Sequence, residues 1–438
     1  MKKLKNLLLM SCLMFVISLS LGTGIAQAED EKVKLTFFNT SAEVNNQFEE
    51  VFKVYNKIYP NVTIELIPTP IGGQQLEKFQ ALLASNNPPT ISNLDPGTIY
   101  VYKQFFLDLE PERAKYEEIA NPGAIEQALL DGKFLGIPYT VQGYGLLYNK
   151  RVLREILGES FDPSSIKTRN DLEALFKLID AAGVAPVILH GANWSLGAHY
   201  MGLLYSLQST SVEENREFVE MIKRGEVHLS DNKVFNGLLD TLDLLGKYNL
   251  RKNDPLVADY YKDGLDFAKG EAAFYFMGDW IWSVIGNLED IDREYGIIPV
   301  PISNNPEDYG NTQIAVSEPK LFAIDNSGST PQQQDAAKEF IYWLLTSDEG
   351  QSALVKDMGF NLPYKNVKIE TTNVPAQAVA EYINKGKTID IGVINYLPAD
   401  WWVKTGNSVL KYFVGAIDRQ KLAEEIESYW MSVAESEK

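Results

Sequence analysis

Hydrophobic and polar residues follow one another along the chain at spacings that predict alternating strands and helices. Residues 33–38 (VKLTFF) and 62–67 (VTIELI) are rich in β-branched and aromatic residues, which predicts two strands. Between them, apolar residues recur at helical spacing at Phe48, Val51, Phe52 and Tyr55. A strand–helix–strand order favours two parallel strands joined by a right-handed crossover, so the pattern predicts an α/β fold.

Two further helices begin at clear start signals. Thr168 is followed three residues later by Asp171, and Thr330 is followed by Pro331 and then by Gln333. Both are typical of a helix N-cap with an acidic or amide residue at the third helical position. Apolar residues at helical spacing follow these caps at Leu172, Leu175, Phe176 and Ile179, and at Ala337, Phe340, Ile341 and Leu344. We expect each set to face a core.

The length of the chain predicts more than one domain. Its 438 residues exceed what one hydrophobic core usually organises, so we expect two domains. Residues 406–430 have a mostly helical pattern, and the sequence contains no internal repeat, low-complexity tract or obvious flexible linker. Two domains without a linker suggest a connection by short strands, the arrangement expected for hinge closure over a ligand.

The first 28 residues have the pattern of a signal peptide. A lysine-rich start is followed by an apolar run from about Leu7 and then by residues 26–28 (AQA), the small-x-small pattern of a signal-peptidase site. We therefore expect the rest of the chain to work outside the cytoplasm, whether secreted, on the cell surface or in a periplasm.

The single cysteine, Cys12, admits two interpretations. Residues 9–12 (LMSC) loosely resemble a lipoprotein cleavage box, which would anchor the protein by acyl chains. The interpretation we favour places Cys12 inside the apolar part of the signal peptide. Beyond residue 28 the sequence has no cysteine, so neither a disulfide nor a cysteine-ligated metal is expected there. It also has no other apolar stretch approaching the ~20 residues that span a bilayer.

The charge of the chain narrows the choice of partner. The formal net charge is −19 at pH 7. Nucleic-acid binding needs a basic face, so this class of partner is not expected. The acidity makes an anionic ligand less suitable and keeps the protein soluble, and we expect a monomer.

Catalytic motifs are absent from the sequence. It contains no HExxH pattern, no GxSxG nucleophile elbow, no GxxxxGK[ST] phosphate loop and no GxGxxG fingerprint after a strand. His190 and His199 lie nine residues apart, and we favour two polar histidines at a cleft or surface over a shared metal site. With 59 acidic residues, a carboxylate pair at glycosidase spacing arises easily, so glycoside hydrolysis stays open as an alternative.

Tryptophans supply the clearest chemical signal. Trp280 lies close to Trp282, Trp401 is adjacent to Trp402, and Trp194 stands alone in the segment HGANWS. A sugar ring has apolar C–H faces that pack on aromatic planes, while its hydroxyl groups need polar partners around the rim. Ordinary core packing is the other interpretation. Because neighbouring residues of a helix cannot both face one core, we expect at least one tryptophan of each pair to be exposed or to line a cavity.

Several longer segments share a pattern with a known family. They are residues 131–139 (DGKFLGIPY) with 147–150 (LYNK), 269–274 (KGEAAF) with 278–280 (GDW), 295–296 (YG) with 299–301 (PVP), 335–340 (DAAKEF) and 347–351 (SDEGQ). Together they resemble the extracellular solute-binding proteins of carbohydrate ABC importers, among them the maltose- and oligosaccharide-binding proteins. The resemblance covers nearly the whole chain after the predicted signal peptide.

The resemblance implies a two-lobed fold of the periplasmic-binding-protein type, type II. Two α/β lobes are joined by strands at a hinge, and the ligand lies in the cleft between them. The implied N-lobe comprises residues 29–142 and 300–326, and the implied C-lobe comprises residues 143–299 and 327–438. Each lobe is then discontinuous in sequence, which explains why no linker is visible.

Candidate ligand-binding residues follow from matching positions. In the C-lobe, Trp280 and Trp401 take the places of sugar-stacking aromatics, and Trp194 falls where the family has aromatics after a short loop. Asp279 and Trp402, beside two of these tryptophans, complete the C-lobe candidates.

The N-lobe and the crossover supply polar candidates. Asp95 matches a carboxylate that receives sugar hydroxyl groups, and Ser41 with Glu43 lies in the loop that supplies polar contacts. Gln142 occupies the crossover position where maltose binders carry a carboxylate. The sequence departs from the family at Thr90, where an aspartate is usual, and at residues 39–41, which lack the acid–lysine pair of maltose binders. These departures argue against maltose itself.

The resemblance implies a binding protein and no enzyme. The predicted function is to capture a carbohydrate, such as an α-glucan oligosaccharide, by hinge closure and to deliver it to a membrane-embedded ABC importer permease. Neither a cofactor nor a metal is expected. A secreted carbohydrate-active enzyme is one alternative, and a binding protein for a non-sugar solute, such as a peptide or polyamine, is another.

Overall fold

The computed structural model describes residues 32–436 apart from residues 70–73, 160, 287, 290 and 318. The predicted signal peptide, residues 1–28, and Cys12 within it lie outside the described residues. In the part of the chain that the structure describes, no helix combines the length and the apolar character needed to cross a membrane.

The first sheet has five strands within the described residues, in the order β2-β1-β3-β10-β4. These strands are β1 (Val33–Asn39), β2 (Val62–Pro68), β3 (Ile91–Leu94), β4 (Ile137–Pro138) and β10 (Leu321–Ile324). β1 runs parallel to both β2 and β3, whereas β10 runs antiparallel to β3 and to β4. The predicted parallel pair of strands at the start of the chain is therefore confirmed.

The second sheet places β5 at its centre. Its strands are β5 (Gln142–Asn149), β6 (Ala185–Ile188), β7 (Ala272–Gly278), β8 (Tyr295–Ile298), β9 (Ile314–Ser317) and β11 (Thr388–Asp390). The order is β11-β9-β5-β7-β6, and β8 pairs with the second half of β5. β5 is the strand through which the chain enters this sheet from the first one.

Helices cover both sheets. In chain order the α-helices are α1 (Asn45–Ile58), α2 (Gln75–Ala84), α3 (Pro96–Val101), α4 (Arg113–Ile119), α5 (Ala124–Gln127), α6 (Lys150–Leu157), α7 (Arg169–Ala181), α8 (Gly202–Ser206), α9 (Val212–Lys223), α10 (Lys233–Lys247), α11 (Tyr260–Ala268), α12 (Trp282–Ile285), α13 (Pro331–Thr346), α14 (Asp348–Ser352), α15 (Val374–Asn384), α16 (Trp401–Phe413) and α17 (Arg419–Ser436). π-Helical turns cover Trp194–Met201 and Ala353–Asp357, and a 3-10 helix covers Gly392–Tyr396.

The predicted helix starts are confirmed. The Thr168 hydroxyl accepts a hydrogen bond from the backbone N–H of Asp171 at the start of α7. Thr330 and Gln333 form a reciprocal capping box at the start of α13. All apolar residues predicted to face a core in α1, α7 and α13 are buried. The region predicted as mostly helical, residues 406–430, divides between α16 and α17.

Each sheet has its own hydrophobic core, and we call the two units the first lobe and the second lobe. The packing differs from the predicted lobe boundaries in two segments. Val300 and Ile302 pack in the core of the second sheet, and β9 pairs with β5, although residues 300–326 are predicted in the N-lobe. Within residues 300–326, β10 is the strand that pairs with the first sheet, as the predicted boundary requires.

The second difference concerns α13, which is predicted in the C-lobe but packs on the first sheet. The ring of Phe340 lies 5.7 Å from that of Phe52 and 4.9 Å from that of Tyr55, both on α1. The core of the first lobe continues along the chain to Tyr364, and residues from Val374 onward return to the second lobe. An apolar stripe along a helix specifies that it is buried, but it does not specify which of two sheets it covers.

Candidate ligand-binding site

A cavity of about 300 Å³ lies between the two lobes. The first lobe contributes loops that follow β1 and β3 and the start of α2, and the second lobe contributes the π-helical turn at 194–201, α11, α16 and the segment after β11. These loops follow strands whose ends face the space between the lobes. Residues far apart in sequence therefore line one cavity.

All but one of the candidate residues line this cavity. They are Ser41, Glu43, Asp95, Gln142, Trp194, Trp280, Trp401 and Trp402. The exception is Asp279, which is buried and is not part of the cavity lining. Burial raises the pKa of Asp279 well above its usual value, and nearby backbone N–H groups oppose this only in part. Consecutive residues of the turn point in different directions, and Trp280 alone presents its side chain to the cavity.

The position of Trp280 depends on the glycine two residues before it. A Cβ atom added to Gly278 would lie 2.0 Å from Cζ3 of the Trp280 ring. The indole therefore lies directly on the backbone of Gly278, in space that any other residue would fill. Trp282 points into the core of the second lobe and is 7% exposed, whereas Trp280 is half-buried. The two tryptophans thus divide between core and cavity.

Aromatic rings form a continuous wall on the second lobe. The ring of His199 lies 4.8 Å from that of Trp280 and 5.6 Å from that of Trp194. Tyr144 lies 5.0 Å from His199, and Tyr260 lies 5.9 Å from Trp194. Burial lowers the pKa of His199 to about 4, so its ring is uncharged at neutral pH and can act as an aromatic surface with a polar edge.

Two glycines hold the tryptophan-bearing segments of this wall together. A Cβ atom on Gly197 would lie 2.3 Å from the carbonyl oxygen of Trp402, and one on Gly406 would lie 2.5 Å from that of Asn193. The π-helical turn and α16 therefore touch backbone to backbone. Trp401 is 5% exposed and packs largely in the core, so Trp402 is the more accessible of the pair.

A buried charge network lies behind the aromatic wall. The ring of His190 lies 4.9 Å from that of Trp194, and its Nδ1 lies 2.8 Å from an oxygen of the fully buried Asp263. The other oxygen of Asp263 accepts a hydrogen bond from Arg251, which also pairs with Asp266. Charges at this depth are tolerated because each has a partner. Of the two histidines predicted at a cleft or surface, His199 lines the cavity. The prediction is wrong for His190, which is buried and supports the wall from behind because it pairs with Asp263.

The wall on the first lobe is polar. Lys320, between β9 and β10, lies 2.9 Å from an Asp95 carboxylate oxygen and donates a hydrogen bond of 2.9 Å to the Thr40 hydroxyl. Burial raises the pKa of Glu43, and its own backbone N–H and the charge of Lys320 oppose that shift. Lys320 was missed from the sequence because it lies in a short crossover without a periodic pattern.

Side-chain amides fix the loop that carries Ser41. Asn93 donates a hydrogen bond of 2.7 Å to the Asn39 side-chain oxygen, which also accepts from the Ser41 backbone N–H. Asn39 in turn donates to the Ser41 carbonyl, and Tyr139 donates to Asn93. The segment at 39–41 that departs from the maltose binders is therefore held by its own network, and its polar groups are oriented before a ligand arrives.

Comparisons with known proteins agree with this architecture. A model of the family described as bacterial extracellular solute-binding protein matches residues 50–379. An uncharacterised ABC transporter extracellular-binding protein of Pyrococcus horikoshii is 24% identical over 62% of this chain, and that match spans 61% of the relative's length. The diacetylchitobiose binding protein DasA of Streptomyces coelicolor is also 24% identical, over 71% of this chain and 69% of its own.

Solved structures show the same fold. The solute-binding protein RafE in complex with raffinose superposes with a TM-score of 0.75 at 18% identity, over 92% of this chain and all of its own. A chitin oligosaccharide binding protein superposes with a TM-score of 0.73 at 19% identity, over 92% of this chain and 99% of its own. At these identities the likeness supports the two-lobed fold.

Proposed function

The chain belongs to the bacterial extracellular solute-binding protein family, and from this premise we propose that it is the extracytoplasmic binding component of an ABC importer for an oligosaccharide. The observation that carries the proposal is the composition of the interlobe cavity. One wall is aromatic and the other is polar, and a sugar ring needs both kinds of surface. The ligand lies between the lobes and holds them closed.

The roles of the candidate residues follow from their positions. Trp280, Trp194 and Trp402 stack on the C–H faces of sugar rings. Glu43 and Asp95 accept hydrogen bonds from hydroxyl groups, and a carboxylate can accept two at once. Ser41 and Gln142 complete the polar contacts, and Trp401 contributes only the small part of its ring that reaches the cavity.

The choice of an oligosaccharide rests on the extent of the aromatic wall. The rings from Trp280 through His199 to Trp194 form an unbroken surface, which is larger than one sugar ring covers. An α-glucan follows from the resemblance to maltose-type binders. Oligosaccharides of the raffinose and chitin type are further candidate ligands, because RafE and the chitin oligosaccharide binding protein share the fold.

A screen followed by titration tests the proposal. The secreted form of the chain would be screened by thermal shift against malto-, xylo-, chito- and raffinose-series oligosaccharides, since a ligand that binds only the folded state raises the melting temperature by mass action. Isothermal titration would then give the affinity. The proposal expects a saturable shift with at least one series, and the absence of a shift with every series would contradict it.

One observation keeps an enzyme as the second candidate. Two carboxyl groups, those of Glu43 and Asp95, line the cavity, and burial raises the pKa of the first, as in the acid and base pairs of glycosidases. An assay for the release of reducing ends from the same oligosaccharides separates the two functions. Turnover at a rate that Glu43→Gln abolishes would replace the transport proposal.

A further inference from the structure

We infer that Tyr100, Asp131, Arg216 and Tyr396 form a latch between the lobes that closes one end of the cleft, so that the site binds one terminus of its ligand. The inference rests on the proposed function for the identity of the ligand as a chain of sugars. The latch itself follows from contacts between the lobes that involve no ligand.

The strand order defines the long axis of the cleft. In the second sheet β11 and β6 are the two edges, so the segment after β11 and the segment after β6 lie at opposite ends. The segment after β6 carries Trp194, and the segment directly after β11 carries Ile394 and Asn395. Beyond these residues the chain runs back along the second lobe, so that Trp402 at the start of α16 meets the π-helical turn. The cavity therefore extends from Trp194 at one end to Ile394 and Asn395 at the other.

At the end formed by Ile394 and Asn395, the lobes touch. A Cβ atom on Gly97, in α3 of the first lobe, would lie 3.3 Å from the carbonyl oxygen of Ile394 and 3.5 Å from that of Asn395. All three residues line the cavity. The first turn of α3 and the segment 392–396 thus approach each other backbone to backbone across the opening.

The four side chains of the latch reinforce this contact. Arg216 on α9 of the second lobe pairs with Asp131 of the first lobe at 3.5 Å, and its guanidinium lies 3.8 Å from the ring centre of Tyr396. Tyr100 donates a hydrogen bond of 2.8 Å to Asp131, and its ring meets that of Tyr396 edge-on at 5.2 Å. Each lobe supplies two of the four groups, so opening the cleft at this end separates them.

The backbone at Asp131 fits this role. Asp131 has a φ of +49° and is followed by Gly132 with a φ of +76°. Two successive left-handed residues form a tight turn between Leu130 and Lys133, whose backbones bond to each other. Aspartate tolerates this conformation better than most residues, and the turn holds its carboxylate at the rim, within reach of Arg216.

The consequence for binding is an asymmetry between the two ends of a sugar chain. A terminal sugar at the latch end meets Ile394 and Asn395, with the latch directly behind them, and cannot carry a further substituent. We therefore expect a bulky group on one chain end to prevent binding and a bulky group on the other end to be tolerated.

End-labelled oligosaccharides test the closed end. The probes are malto- and chito-oligosaccharides, unlabelled, labelled with 2-aminobenzamide at the reducing end, or blocked by a 4,6-benzylidene group at the non-reducing end. The wild type should discriminate between the two modified forms by at least about tenfold in Kd, or 1.4 kcal/mol. The double variant Tyr100→Ala/Tyr396→Ala should recover binding of the rejected form. Equal binding of both forms by the wild type, or no recovery in the variant, would overturn the closed end.

A matched pair of arginines tests the latch as an interlobe contact. Arg216→Ala should weaken binding of the unlabelled probe by about two- to tenfold, because the closed state loses an ion pair and a cation–π contact. Arg224 is the control, since its side chain is 46% exposed against 41% for Arg216 and it pairs with Glu217 and Glu226 in its own lobe. Arg224→Ala should leave Kd within about twofold. Equal losses in the two variants would overturn the latch.

A measurement without ligand separates the latch from the proposed function. Spin labels at Lys57→Cys in the first lobe and Lys177→Cys in the second report the distance between the lobes. The Tyr100→Ala/Tyr396→Ala variant should shift this distribution away from the closed distance, and an unchanged distribution would overturn the latch. If no saccharide binds the wild type while the distribution still shifts, the proposed function fails and the latch stands.

Discussion

The two walls of the cavity differ in the chemistry they present and in how they are supported. The first lobe presents short polar groups on loops after strands, and these are oriented by side-chain amides such as Asn39 and Asn93. The second lobe presents aromatic rings, most of them on helical segments, and these are supported by buried charges and by close glycine contacts. Hydrogen bonds are directional, whereas stacking depends on area, so the first wall suits recognition of hydroxyl positions and the second suits binding strength.

The supports of the two walls also differ in cost. The amide groups of the first lobe satisfy each other's hydrogen bonds and carry no net charge. The pair of Asp263 and Arg251 carries two charges, and burying them away from water costs free energy. The network behind the aromatic wall therefore carries an electrostatic cost that the amide network of the first lobe does not. Four substitutions test this contrast, and they follow in order of decreasing expected effect.

The largest effect is expected for Asp263→Ala, which removes the buried charge behind the aromatic wall. Breaking a buried ion pair by removing one partner costs about 3–5 kcal/mol of stability. His190 also loses its partner, so the ring of Trp194 that packs on it is less well held and ligand affinity should fall as well. Chemical denaturation and isothermal titration measure the two effects.

The control for this substitution is Asp292→Ala in the same lobe. Asp292 pairs with Arg151 and accepts a hydrogen bond from Asn149, and none of the three lines the cavity. We expect a loss of stability with an unchanged Kd. If Asp292→Ala weakens binding as much as Asp263→Ala does, the network behind the wall has no specific role in ligand binding.

Trp280→Ala should weaken binding by about 1–3 kcal/mol, or roughly 5- to 150-fold, because it removes one of the large rings of the aromatic wall. Trp343→Ala is the matched control, since Trp343 is also half-buried but packs on Tyr55 in the first lobe. Titration of both variants with the same oligosaccharide compares them. Binding by Trp280→Ala at wild-type affinity would place the site elsewhere.

Gly278→Ala should reproduce part of the Trp280 effect without removing the ring. The added methyl group would displace the indole, and overpacking of this kind costs about 1–3 kcal/mol, here shared between stability and affinity. Gly286→Ala makes a similar clash, because its Cβ would lie 2.6 Å from the ring of Trp282, which belongs to the core. That variant should lose stability alone. If Gly278→Ala binds the ligand as tightly as the wild type and Gly286→Ala do, the position of the Trp280 ring does not matter for binding.

The smallest effect is expected for Glu43→Gln on the polar wall, at about 0.5–1.5 kcal/mol of binding for one hydrogen-bond acceptor. The same change should stabilise the ligand-free protein at pH 7. Burial raises the pKa of Glu43 above 4.5, so folding takes up a proton in the window above pH 4.5 and stability falls as pH rises through that window. Glutamine does not titrate and avoids this loss.

Thermal melting of the two proteins between pH 4.5 and 7.5 measures this second effect. The advantage of Glu43→Gln should be largest at the upper end of that range and shrink towards the lower end. Glu49→Gln, on the exposed side of α1, also removes one carboxylate and is the control for the change in net charge. A constant difference between wild type and Glu43→Gln across the range would contradict a raised pKa at this carboxyl.

Much of the local structure could be read from the sequence, because it depends on neighbouring residues. The strands at 33–38 and 62–67, the cap at Thr168 and the box at Thr330 need only short-range periodicity and hydrogen bonding. The lobe that α13 covers could not be read in this way, since the partner of an apolar stripe lies elsewhere in the chain.

Some of the residues that line the cavity could be predicted from the sequence, and others could not. The tryptophans and the polar positions after β1 and β3 were predictable from residue type and from the family resemblance, and the structure gathers them around one cavity. Lys320 and Tyr260 were not, because nothing in their neighbourhood marks them. Asp279 was expected at the site for its place beside Trp280, but the turn directs its side chain into the protein.

The sequence by itself determined the chemistry available, namely aromatic rings, carboxylates and an acidic surface, together with the segments that form strands and helices. Only the tertiary structure decided which of these groups face one another. That His199 joins two tryptophans, that Lys320 faces Asp95, and that Arg216 meets Asp131 across the cleft all depend on strand order and hinge geometry. Such contacts join residues far apart in the chain, and their energies arise only when the two lobes have folded and met.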